Sequence, residues 1–89
     1  MTAHIYIIGF VQGVGYRRFL QSKAKKLGLK GWVRNTNDGR VEAIVQGNVE
    51  VIEKLVSILK KGNMLSDVKS IQFEWLEFEE QFYDFRILF

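Results

Sequence analysis

Two stretches of helical periodicity, each set between strand-like runs, constrain this chain more than any other feature. Residues 17–27 read as a helix: Tyr16, Leu20, Ala24 and Leu27 recur at spacings of four, four and three, forming one apolar stripe, while Lys23, Lys25 and Lys26 face out. Gly28 is a natural C-terminal cap for it. A second helix runs to Lys61 from an N-cap at Asn48, with Ile52, Leu55, Val56 and Leu59 on its apolar side and Gly62 beyond its end. Around these lie residues 3–10, an isoleucine-rich strand, then 30–35, a turn over 36–39 carrying the Asn-Asp-Gly hairpin signal, and a third strand over 40–46. Val41, Ala43 and Val45 share one face of that third strand. Residues 68–77 form a fourth strand, with Ile71, Phe73 and Trp75 expected to alternate inward, and 83–89 a short fifth. The order β-α-β-β-α-β predicts an α+β, ferredoxin-like sandwich: a mainly antiparallel sheet with both helices on one face and the first and third strands adjacent.

A single domain spanning residues 1–89 is expected, burying roughly 60–65% of its unfolded surface. With no cysteine and one histidine, disulfides, thiol nucleophiles and cysteine or paired-histidine metal sites are excluded. No apolar run approaches the ~20 residues of a membrane span, and no basic segment precedes the first apolar run as in a signal peptide. A cytoplasmic protein is the expectation. Charge is uneven: residues 1–40 hold eight Lys/Arg against Asp38 alone, net +7, and residues 41–89 hold five against nine acids, net −4. The positive half would steer anions toward itself, though part of it is a solvated helix face.

That half contains Gly9-Phe10-Val11-Gln12-Gly13-Val14-Gly15-Tyr16-Arg17, three glycines between a strand and a helix. Glycine lets a backbone turn tightly and present N–H groups to a ligand, and such groups leading into a helix N-terminus attract phosphate. Arg17 adds a planar charged fork matched to phosphate oxygens. A plain turn with an exposed arginine is the alternative. The dinucleotide fingerprint is excluded because Arg18 stands where its third glycine belongs, and the nucleotide P-loop because no Gly-Lys pair exists. Asn35 ends the second strand just before the hairpin. Its amide could hold a water by donating and accepting, or could serve the turn alone.

The glycine segment resembles the first signature of the acylphosphatase family, Gly-x-Val-Gln-Gly-Val-x-Phe/Tyr-Arg. Gly31-Trp32-Val33-Arg34-Asn35, followed by Gly39, Val41 and Gly47, is similar to the second. Both fit without a gap and in order, and the resemblance covers essentially the whole chain. It implies a ferredoxin-like single domain that hydrolyses the carboxyl-phosphate bond of small acyl phosphates to a carboxylate and inorganic phosphate. Residue by residue, it implies that the amides of Gln12, Gly13, Val14, Gly15 and Tyr16 hold the phosphoryl group together with Arg17. Asn35 would orient the attacking water, with Thr36 a candidate supporter. No cofactor, metal or covalent intermediate is expected, nor a nucleic-acid or membrane partner. Inorganic phosphate would bind as product or inhibitor, and a monomer is expected. One departure is the proline-free segment 62–67, where relatives often carry proline; the resemblance leaves its conformation open.

This chemistry suits a spare site. The leaving carboxylate is a weak base, and the loose anionic transition state needs positioning and charge stabilisation above all. Asp38 reads as turn chemistry and His4 as structural, leaving no general base, so the water's proton would pass to the substrate. Rival readings are an RNA-binding sheet, for which the first and third strands lack the aromatic signature, a carbamoyl-phosphate module of a larger maturation enzyme, and a non-catalytic phosphate sensor. With no zinc-finger cysteines and no further domain after Phe89, a free-standing enzyme is the expectation.

Overall fold

The computed structural model describes residues 1–77 and 80–89. Its elements are β1 (Thr2–Phe10), α1 (Tyr16–Lys26), β2 (Lys30–Asn35), β3 (Val41–Gln46), α2 (Val49–Lys61), β4 (Asp67–Leu76) and β5 (Phe85–Leu88). They follow the expected order, with boundaries displaced by a residue or two. One sheet runs β4-β1-β3-β2-β5, with three antiparallel pairings and a parallel one between β2 and β5.

Strand alternation sorts the side chains. Ala3, Ile5 and Ile7 of β1 pair with Val45, Ala43 and Val41 of β3, and all six are fully buried. They meet Leu20 and Ala24 of α1 and Ile52, Leu55 and Leu59 of α2 in one core. Phe73 lies on the expected inward strand face but is not buried there. It sits opposite Ile5, on the helix side, yet 41% of it is exposed because β4 is an edge strand with no neighbour beyond it.

Both helix stops and starts are chemical. At the end of α1 the Gly28 N–H reaches Lys25 O at 3.0 Å and the Leu29 N–H reaches Ala24 O at 2.9 Å, closing the last turn around Gly28. Asn48 caps α2 by accepting the Glu50 N–H at 2.9 Å. The outer sheet face carries Glu42, which is buried. His4 Nε2 lies 2.6 Å from its Oε2, Tyr6 donates to the same oxygen at 3.0 Å, and Arg34 Nε donates to Oε1 at 2.6 Å. Burial alone pushes that carboxyl up, but these three hydrogen bonds outweigh it and hold the group below its usual range. His4 is structural, as read from the sequence.

Register brings three chain segments to one edge of the sheet. Ile7 near the end of β1, Val41 at the start of β3 and Asn35 at the end of β2 form one rung. Because β5 runs parallel to β2, the Arg34–Leu88 pair puts the end of β5 at the same edge. The glycine loop, the hairpin and the last residues therefore converge.

Candidate active site

At that edge lies a cavity of about 320 Å³ lined by Val11, Gly13, Gly15, Tyr16, Arg17, Arg18, Asn35, Ile87 and Phe89. Residues 18 positions apart in sequence, Arg17 and Asn35, thus share one space. The loop above it is shaped by two left-handed glycines, Gly13 at φ +74° and Gly15 at φ +76°, either side of Val14. An added Cβ would meet nothing within 4 Å at Gly13 and only Asn63 Nδ2 at 3.9 Å at Gly15. Glycine is needed there for the backbone conformation and not for room.

Gly15 is also the N-cap of α1, with no side-chain cap, so the first-turn N–H groups stay available. The first turn holds no acid; it holds Arg17 and Arg18. Cations there oppose the helix dipole by typically 0.3–1 kcal/mol each, a cost that an anion at the same place removes. Arg17 has no carboxylate partner among the described residues. Its guanidinium is steadied by the Leu88 carbonyl, to which Nη1 donates at 3.4 Å, and by the Phe89 ring, 5.0 Å from Cζ to centroid.

Asn35 Oδ1 is buried and has no hydrogen-bond partner among the described residues. Leaving an acceptor so costs about 1–3 kcal/mol unless a water or ligand meets it. The turn reading of Asn35 accounts for none of this, since the turn is held by its neighbours. Thr36 Oγ1 accepts the Arg40 N–H at 3.0 Å and makes a very short contact to Asp38, while the Thr36 N–H donates to Arg40 O at 2.9 Å. Thr36 does not line the cavity, so any support it gives passes through the hairpin. The Arg40 guanidinium and the Thr36 hydroxyl hold Asp38 down to about 2; it is a turn residue.

Gln12 joins the two halves. Its Nε2 donates to Thr36 O at 2.8 Å and Arg40 O at 2.7 Å, tying the glycine loop to the hairpin. Its side chain is a clamp, and only its amide is left for a ligand. Tyr16 is likewise divided: its ring is buried and its hydroxyl donates to Leu59 O at 2.7 Å, with burial pushing the phenol well up. Sequence reasoning missed Arg18, Ile87 and Phe89 as cavity walls. The pair of arginines opening a helix was a readable signal for Arg18; β5 carried none. Among the described residues no cluster of three His, Cys, Asp or Glu could hold a metal, and no helix is long and apolar enough to cross a membrane.

A family model described as acylphosphatase matches residues 3–87. An acylphosphatase of Pyrobaculum islandicum is 41% identical over 89 residues, covering 99% of this chain and 94% of that one. The crystal structure of acylphosphatase from Bacillus subtilis superposes with a TM-score of 0.96 at 36% identity, covering 99% and 98% of the two chains. A full-length HypF crystal structure, phosphate- and nucleotide-bound, matches at TM-score 0.84 and 33% identity, with 98% of this chain covering 11% of that one.

Proposed function

The chain belongs to the acylphosphatase family, and on that premise we propose how its cavity hydrolyses a small acyl phosphate. The phosphoryl oxygens accept hydrogen bonds from the backbone N–H groups of residues 12–16 and from the Arg17 guanidinium. These donors are fixed before substrate arrives, so they stabilise charge in the transition state without reorganising. Asn35 Oδ1 accepts a hydrogen bond from a water on the far side of phosphorus. That water's oxygen bonds to phosphorus as the phosphorus–oxygen bond to the acyl group breaks, and the electron pair leaves on the carboxylate. The water's proton ends on the phosphate. A carboxylate, whose acid ionises near pH 4, leaves without help from a general acid. Thr36 supports Asn35 through the hairpin, and Ile87 and Phe89 form the apolar side of the cavity, toward which the acyl part points.

The observation that carries this reading is the buried Asn35 Oδ1, unpartnered among the described residues, in the same cavity as a left-handed glycine loop and an arginine with no carboxylate partner among the described residues. Catalysis is read as metal-independent and without a covalent intermediate, by a cytoplasmic monomer that inorganic phosphate inhibits. Phosphate release from benzoyl phosphate, with and without a chelator, tests it. Equal turnover in both supports the reading. Turnover lost with chelator and restored by metal overturns metal independence, and no release in either overturns the mechanism.

A further inference from the structure

The segment 62–67, whose conformation the sequence left open, is tightly bonded to itself. Asn63 N–H donates to Ser66 Oγ at 2.9 Å, Asn63 Oδ1 accepts the Ser66 N–H at 3.0 Å, and Ser66 Oγ donates to Asn63 O at 3.1 Å. This turn fixes the orientation of the Asn63 amide. With Oδ1 engaged by an N–H donor, Nδ2 must be the atom facing the glycine loop, and it donates to Val14 O at 2.8 Å across 49 positions of sequence.

That contact has a directional consequence. The Val14–Gly15 peptide is trans, as are all the described peptides, so its carbonyl and its N–H point in opposite directions. Asn63 does not line the cavity, whereas Gly15 does. Drawing Val14 O toward Asn63 therefore points the Gly15 N–H away from Asn63. This peptide ends on Gly15, at positive φ, where the missing Cβ lets the backbone rotate, and rotation would present a carbonyl to an incoming anion. We propose that Asn63 is a positioning residue that aims the Gly15 N–H at the phosphoryl group, making the turn after α2 an external brace of the phosphate loop. The inference rests on the proposed function above.

The test compares wild type with Asn63→Asp, which keeps the acceptor for Ser66 but loses the donor to Val14, and with the uncharged Asn63→Ala. Three quantities are read: inhibition by inorganic phosphate, kcat/KM for benzoyl phosphate, and the Gly15 amide resonance during phosphate titration. Wild type should show a downfield Gly15 shift on adding phosphate. Both variants should lose most of that shift and bind phosphate about three- to tenfold more weakly, as expected for loss of one net hydrogen bond. Variants that melt at lower temperature but keep the Gly15 shift and wild-type phosphate inhibition overturn the inference. Should one fail to fold, the other decides. A wild type with neither turnover nor phosphate binding overturns the underlying function, and the inference with it; normal wild-type activity left unchanged in both variants overturns the inference alone.

Discussion

Replacing Arg17 with alanine separates what this residue does for the fold from what it does for the reaction. In the free protein its partners are slight: one 3.4 Å hydrogen bond to Leu88 O, a ring contact with Phe89, and no carboxylate among the described residues. Such contacts at a partly exposed site are worth about 1 kcal/mol or less. Removing a cation from the first turn of α1 returns a few tenths of that. Arg17→Ala should therefore change stability by less than about 1 kcal/mol in either direction. In the proposed mechanism the same guanidinium would make two charge-assisted hydrogen bonds in the transition state, each worth about 1.5–3 kcal/mol. Their loss amounts to about 3–6 kcal/mol, or roughly 10²- to 10⁴-fold in kcat/KM. Arg17→Lys keeps the charge and loses the fork, so it should recover only part of the rate. Phosphate release from benzoyl phosphate, run beside a denaturant titration of each variant, reads both numbers. Arg17→Ala turning over within about fivefold of wild type, or a rate loss matched by the fraction unfolded, would refute the reasoning.

Asn35→Ala should leave inhibition by inorganic phosphate within about threefold of wild type while kcat falls about 10²-fold. Because it removes a buried acceptor with no partner among the described residues, denaturant titration should show stability unchanged or raised by about 1 kcal/mol; a large loss would return Asn35 to turn duty. Glu42→Gln removes the carboxylate that binds His4, Arg34 and Tyr6 and should destabilise the fold by about 1–3 kcal/mol at pH 7. The native Glu42 carboxyl sits below its ordinary value of 4.5, so its stabilising contribution is present above that value and disappears as pH falls through the lowered native one. The gap between wild type and Glu42→Gln should close on acidification below about pH 4.5, and a gap that widens would contradict this.

What could be read from the sequence was local. The Leu20–Ala24 stripe, the Gly28 and Asn48 caps and the Asn-Asp-Gly turn all depend on residues within a few positions of one another, and the structure matches them. The adjacency of the first and third strands followed from handedness once the elements were named, and the place of β5 beside β2 did not. Phe73 was misjudged because alternation gives the face of a strand but not its place in the sheet, and an edge position decides its exposure. At the site, Arg17 stood out by closing the glycine loop and Asn35 by ending the second strand, while their roles came from the resemblance. The side-chain roles of Gln12 and Asn63, and the walls made by Ile87 and Phe89, depend on chain segments that meet from 24 positions apart (Gln12 and Thr36) to 72 (Arg17 and Phe89). Nothing in their neighbourhoods foretells those meetings. Asn63 lies in the segment whose conformation the sequence left open; the structure makes it a turn whose amide also reaches Val14, and that follows from where α2 ends.

A cavity that grips the phosphoryl group directs water to phosphorus and leaves the acyl carbon untouched. Hydrolysis of benzoyl phosphate in ¹⁸O-labelled water, with the products separated and weighed by mass spectrometry, reads this directly. The label should appear in inorganic phosphate, one atom per turnover, and be absent from benzoate. Label in benzoate would mean attack at the carbonyl, and a cavity built for a different anion.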